Sequence, residues 1–501
     1  MSIASQPPGS ARVNTSTRSQ AMSLGKANLL DFMIQIVLPI VLVRLLDPTE
    51  FGQYRMLWLA ANAAIALGQL HMPHSLLYLL PREGAERARI YINNTLLFLA
   101  STGLIGAVLV GPWNHWLPGQ MEHLSSNAFF LPLFIFVWVL ASLVEFLPNA
   151  DQRIAWQARV IVGLSLLRAS TIVLVVFVTR DIEWVFAALL LFAFVKLGLL
   201  YYYIGKYHGR NVFKVNLNLL RGQIIYAAPF GISGSLYILR GQADQWVVAS
   251  LFSTSVFATF SVAYVFSPLA NIIRQSVSNA VMPRLSELHA SGDREELLNL
   301  NRKANAGSNF LLFPMLVFFF VFSTQLIELI YTGSYLMAAD VMRIYLLGML
   351  AQAVEVNSIL RVFSQGRFTV RVNFGLLLMS IVVSYLGARV FGLLGAALGS
   401  VLALSLGELM NLRHAVSVTN TSFSRFLDWK QLGILLGAAI VAGGVGKGVA
   451  LLPMFSGHLI GQLFLGGLSM ITVYILMLIL LGKGDLIKSV LEDVLRRRRR
   501  V

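Results

Sequence analysis

"RLLDPTEFGQYRMLWLAA", residues 44–61, sets Arg44, Asp47, Glu50 and Arg55 around a proline and a glycine. Apolar runs flank it, residues 27–46 before and 56–80 after. Each is about 20 residues or more, the length of helix that crosses a ~30 Å hydrocarbon core at about 1.5 Å per residue. The charged stretch therefore reads as a tight turn at a membrane surface. Pro48 and Gly52 would break the helix there, with Asp47 and Glu50 balancing the two arginines.

The same pattern recurs along the whole chain. Of 501 residues, 57% are hydrophobic and 12% charged, against about 25% charged for an ordinary soluble domain, and the mean hydropathy is +0.72. In lipid a backbone must satisfy its own hydrogen bonds, so these runs predict an all-α polytopic membrane protein. Fourteen spans are expected, near 27–46, 56–80, 90–112, 127–147, 155–179, 183–205, 222–241, 246–270, 304–329, 338–360, 369–390, 391–411, 431–451 and 458–481. The eleventh and twelfth are separated only by the "RVFGLLG" turn. The longest inside connection is expected over 272–303, and the longest outside one around 113–126.

Charge tests that map, because Lys and Arg favour cytoplasmic loops. Most of the 39 Lys and Arg residues fall on alternate connections, from Arg12, Arg18 and Lys26 through Arg284, Arg294 and Arg302 to the terminal Arg496–Arg500. This places both termini inside. The net charge of +16 reads as topology and contact with anionic membrane lipids, and no nucleic-acid partner is expected. Residues 1–24 are expected to form a disordered cytoplasmic N-terminal tail and 483–501 a basic cytoplasmic C-terminal one.

Several chemistries are excluded or left without support. The chain has no Cys, so no disulfide, thiolate metal site or Cys nucleophile exists. His71 and His74, at i and i+3 in "HMPHS", share a helical face, but no third ligand is nearby in sequence, so packing is expected and no metal. No enlarged loop holds acidic or His-bearing chemistry, which argues against an enzyme. No nucleotide-binding P-loop appears, and no cofactor is expected. A faint repeat relates "FGQY" (51–54), followed by Pro81-Arg82-Glu83, to "FATF" (257–260), followed by Pro283-Arg284. Such repeats share orientation and suggest two related halves.

"LLDPTEFGQYRMLWLA" (45–60), "ADQWVVASLFSTSVFATFSVAYVFSPLANIIRQSVSNAVMPRLSEL" (243–288), "GDREEL" (292–297), "SQGRF" (364–368) and "FGLLGAALGSVLAL" (391–404) resemble the polysaccharide-transporter branch of the multidrug/oligosaccharidyl-lipid/polysaccharide exporter superfamily. The resemblance spans about residues 25–480. It implies two six-helix bundles, here 25–208 and 209–415, around a central cavity, with an extra helix pair over 416–482. It also implies a flippase that moves a polyprenyl-pyrophosphate-linked oligosaccharide, an O-antigen, capsule or exopolysaccharide unit, across the bacterial inner membrane by alternating access. A polysaccharide polymerase and glycosyltransferases would be its partners. The alternative within the superfamily is a cation-coupled multidrug extruder, which would want buried acids in its bundles.

Charges inside spans carry the site expectations, because an ionisable group at mid-bilayer is costly and normally faces a cavity or a partner. Arg168 and Lys196 lie near the middle of the fifth and sixth spans. They are expected to form a cationic cavity wall that binds the anionic head group, unless acids on other helices pair with them. Asp31, Glu145 and Glu408 are expected near the membrane interface, and Glu355, deeper, is the candidate for ion coupling. Arg240 and Asp244, four apart at the expected outer end of the seventh span, read as a local ion pair and, with Arg44 and Arg55, as a candidate gate. "APFGISGS" (228–235) is expected to bend during transport, with Pro229, Gly231 and Gly234 as the hinge.

Overall fold

The structure, a computed structural model, describes residues 15–114, 121, 124, 127–209, 214–453 and 458–485. Among these every regular element is helical. The expected N-terminal tail is shorter than 1–24, because the helix Thr15–Leu42 takes in its last ten residues; residues 1–14, most of the C-terminal tail and part of the 113–126 connection lie outside the described residues. Among the described residues, ten helical stretches are individually long and apolar enough to cross a membrane. One of them, Gly366–Val418, contains two spans: Gly392 at φ 61° and ψ −140° turns the chain back within it, a conformation open to glycine because it lacks Cβ. Other spans are interrupted, such as Pro48–Gln69 continued by Met72–Leu79, and Ala338–Ala351 continued by Asn357–Val362. The architecture is an all-α polytopic membrane fold.

Two compact units divide the chain. The first comprises Met1–Leu46 with Ala60–Ser235, and the second Asp47–Leu59 with Leu236–Val501. Their boundaries fall inside helices, so Pro48–Gln69 and Leu217–Leu251 each contribute to both. In the first unit, Thr15–Leu42 packs on Ile154–Thr179, and Phe130–Ala141 packs on both Ala85–Leu109 and Ile182–Tyr207. In the second, the C-terminal pair Trp429–Ala450 and Leu459–Leu480 pack on each other, the former also on Arg294–Val321.

The opening turn is present, built differently from its expectation. Pro48 starts the second helix instead of breaking one. Asp47 caps it, accepting from the backbone N–H groups of Thr49 at 2.7 Å and Glu50 at 2.8 Å, while Glu50 Oε2 accepts from the Asp47 N–H at 3.1 Å. The acids thus satisfy orphan helix donors in a capping box. Gly52 lies within the helix, where a Cβ would strike the backbone of Thr254; close approach, not helix breaking, is what calls for glycine.

Two connections also differ from expectation. The seventh helix runs without interruption over Leu217–Leu251, so Arg240 and Asp244 lie in its interior instead of at an end. The expected 272–303 loop is helical except for a two-residue turn: Ser267–Ser291 and Arg294–Val321 are joined by Gly292 at φ 75° and Asp293, which caps the next helix through the Glu296 N–H. Charged residues suggested a span end in one and a loop in the other, and both are largely helical.

Pro229 sits inside the continuous seventh helix. In the first unit, Gly231 lies against the break in the second span, where Leu70 and His71 take positive φ values of 38° and 59°. A Cβ on Gly231 would come within 3.0 Å of the Leu70 backbone, and one on Gly234 would meet His71 Cε1 at 3.2 Å. These glycines therefore serve close packing here. Gly231→Ala is expected to cost about 1–3 kcal/mol as an overpacking substitution, whereas Pro229→Ala restores a helical donor without loss. Thermal unfolding of both variants in detergent checks this; a Gly231→Ala protein as stable as wild type would remove the packing argument.

Candidate functional site

Within the first unit a partly open cavity of about 300 Å³ lies among the first, fourth, fifth and sixth spans. Its wall mixes aromatic side chains, Trp138 and Phe192, with amides and charges, and both Arg168 and Lys196 line it. Neither cation stands alone. Lys196, only 2% exposed, places Nζ 2.5 Å from Glu145 Oε1 and 4.5 Å above the Trp138 ring. Arg168 Nη2 lies 3.9 Å from Asp31 Oδ1. The Ser165 hydroxyl also donates to Asp31 Oδ1, and Gln35 Nε2 donates to Oδ2 at 2.8 Å.

Asp31 and Glu145, expected at the interface, thus belong to the cavity wall. The physical reason is the cost of an isolated buried charge, which a carboxylate from a neighbouring helix removes. The four groups form two cation–carboxylate pairs, so the wall is charge-balanced where the sequence suggested a cationic one. Gln157 was missed by the sequence reading. It is 1% exposed, its Nε2 donates to the Glu145 carbonyl at 2.6 Å, and its Oε1 is buried without a hydrogen-bond partner. A glutamine near the start of an apolar span gave no signal beyond its polarity.

The second unit holds the other candidates. Glu355 sits in the break of the tenth span, between Ala338–Ala351 and Asn357–Val362. Its Oε1 accepts from the Ser358 N–H at 2.9 Å and hydroxyl at 3.2 Å, and its Oε2 lies 3.8 Å from Arg274 Nη2. Arg274, which falls in the expected 272–303 inside connection, is buried there and donates to Gln352 Oε1 at 2.6 Å. Glu355 therefore pairs with Arg274.

Arg240 and Asp244 do not form the expected ion pair. Asp244, 2% exposed, accepts from the Tyr345 hydroxyl at 2.6 Å and from the Gln245 N–H at 2.8 Å. Arg240, 9% exposed, lies 5.5 Å from the Tyr237 ring centre and makes no hydrogen bond or salt bridge among the described residues. At the opening turn, Arg44 Nη1 donates to the Ile40 carbonyl at 2.8 Å, capping the first helix, and Arg55 Nε donates to the Ser261 hydroxyl at 3.2 Å. The His71 and His74 rings stack at 4.3 Å, and His74 also packs on Phe146.

The arrangement is a polar, partly open cavity in a lipid-embedded helical unit, with no group of three or more potential metal ligands among the described residues. The polysaccharide biosynthesis protein family model matches residues 18–289, more than half of the chain. The chain belongs to that family. A second family model, MatE, matches residues 229–386. Together they place this family member among the transporters of the multidrug/oligosaccharidyl-lipid/polysaccharide exporter superfamily. No curated protein sequence matches it.

Solved structures share the fold. The lipid II flippase MurJ in an inward closed conformation matches with a TM-score of 0.66 at 14% identity, over 91% of this chain and 99% of that one. An inward-facing multidrug resistance MATE family transporter matches at 0.60 and 13% identity, over 78% and 96%. A MOP superfamily transporter from Pyrococcus furiosus matches at 0.51 and 12%, over 81% and 97%.

Proposed function

We propose that this polysaccharide-family transporter is a flippase for a polyprenyl-pyrophosphate-linked oligosaccharide, an O-antigen, capsule or exopolysaccharide unit, in the bacterial inner membrane. The observation that carries the reading is the polar cavity of the first unit, inside the region matched by the polysaccharide family model. An oligosaccharide needs a polar environment to cross lipid, while its polyprenyl tail can remain in the bilayer. Arg168 and Lys196 contact the head group as members of their ion pairs. Glu355 is the proposed ion-coupling group, and Arg44, Arg55, Arg240 and Asp244 the proposed gate. Bending at residues 228–235 would accompany alternating access. Both termini are placed on the cytoplasmic side, and the polymerase and glycosyltransferases of the same pathway are the proposed partners.

A cation-coupled multidrug extruder is the second reading, and Asp31 and Glu145 favour it by placing acids in the cavity. Transport separates the two. In vesicles carrying the purified protein, a fluorescent polyprenyl-pyrophosphate saccharide should cross between leaflets, and cationic dyes should not accumulate. In cells, Arg168→Gln and Lys196→Gln should leave lipid-linked sugar on the cytoplasmic leaflet at normal membrane levels of the protein. Dye extrusion together with indifference to the saccharide lipid would make the second reading the correct one.

A further inference from the structure

A ligand entering the first-unit cavity meets unmet acceptors as well as donors. Glu145 Oε1 holds Lys196, but its Oε2 accepts no hydrogen bond among the described residues. Gln157 Oε1 is buried with no partner, and its amide is fixed because Nε2 is engaged by the Glu145 carbonyl. Beside them the Lys196 ammonium has three N–H groups and one carboxylate partner. These three residues are linked to one another and line the cavity with Trp138, whose ring centre lies 4.5 Å from Lys196 Nζ. Asp31, also in the lining, is already engaged by Ser165, Gln35 and Arg168.

We propose that the Glu145–Gln157–Lys196 part of the cavity binds an uncharged pyranose ring, and that the pyrophosphate of a lipid-linked sugar is held outside it. The proposal rests on the transporter reading above and specifies which part of the head group this cavity takes. An ionised phosphate only accepts hydrogen bonds, so it would leave Glu145 Oε2 and Gln157 Oε1 without donors and face a carboxylate of like sign. A cationic amine donates but gives Lys196 nothing to donate to. A sugar hydroxyl does both, offering a proton to Glu145 or Gln157 and an oxygen to Lys196. The volume of about 300 Å³ lies at the small end of ligand pockets, suited to one ring and not to a whole oligosaccharide. Charge balance then becomes the selecting feature: the Lys196–Glu145 pair admits a neutral ring and disfavours either sign.

The test uses the purified full-length protein in nanodiscs and four probes: polyprenyl pyrophosphate bearing a neutral hexose, a hexuronic acid, an amino-hexose, or no sugar. The wild type should bind the hexose lipid about tenfold more tightly than the other three. Gln157→Leu should lose about tenfold toward the hexose lipid and nothing toward the sugarless one. Glu145→Gln should shift preference to the hexuronic acid, and Lys196→Gln to the amino-hexose. The double variant Glu145→Gln/Lys196→Gln, neutral again, should regain the hexose preference, and it carries the test if either single variant folds poorly. Equal wild-type affinity for the sugarless and hexose lipids, or no effect of Gln157→Leu, overturns the ring site while leaving the transporter reading standing. Failure to bind any of the four lipids while binding a cationic dye overturns the transporter reading and this site with it.

Discussion

Glu145→Ala is expected to destabilise the protein by about 3 kcal/mol, the low end of the range for removing one partner of a buried ion pair. The low end applies because the Glu145 side chain is 49% exposed while that of Lys196 is 2% exposed. The effect falls on Lys196. With its carboxylate gone, the ammonium keeps only the Trp138 face at 4.5 Å, and a cation–π contact does not replace a charge-assisted hydrogen bond at 2.5 Å. Snorkelling is no escape, since Lys196 lies near the middle of the Ile182–Tyr207 helix. Replacing both partners, Glu145→Gln with Lys196→Met, removes the buried charge altogether and should recover most of the loss. Thermal and denaturant unfolding in detergent would measure both. Wild-type stability in Glu145→Ala would mean that the pair does not hold the fourth and sixth spans together.

The spans were legible because lipid imposes a length and an apolarity that a sequence displays directly. What a sequence does not display is the partner. Lys196 and Glu145 are 51 residues apart, Ser165 and Asp31 134, and Tyr345 and Asp244 101. Each charge was visible, and each neutralising or hydrogen-bonding group lay on another helix. Reading from one dimension therefore made the cavity cationic and put Arg240 and Asp244 at the end of a span. The same limit explains Arg274, whose charge suggested a cytoplasmic connection and whose Gln352 and Glu355 partners place it inside the second unit. Local geometry was more accessible. The spacing of Asp47, Pro48 and Glu50 is that of a capped helix start, and reading the proline as a breaker obscured it.

Asn305→Ala is expected to be as damaging as loss of the ion pair, for a backbone reason. The tenth span breaks at residues 352–356, and a broken helix at membrane depth leaves backbone groups that lipid cannot satisfy. Two asparagines of the ninth span supply the bonds. Asn305 Oδ1 accepts from the Glu355 N–H at 2.8 Å and its Nδ2 donates to the Glu355 carbonyl at 3.2 Å, while Asn309 Nδ2 donates to the Ala353 carbonyl at 3.0 Å. Each orphaned group costs about 1–3 kcal/mol, so Asn305→Ala, which orphans two, should cost about 2–6 kcal/mol. Asn309→Ala, which orphans one, should cost about half as much. The consequence reaches the candidate coupling group, because the bonds that fix the Glu355 backbone also aim its carboxylate at Ser358 and Arg274. Hydrogen exchange separates this from general loosening. In Asn305→Ala the Glu355 amide should exchange at least about tenfold faster. The Ala353 amide, which donates to the Leu350 carbonyl at 3.1 Å, should keep its protection. Equal acceleration at both amides would show that the whole break had melted and that Asn305 is not its specific clamp.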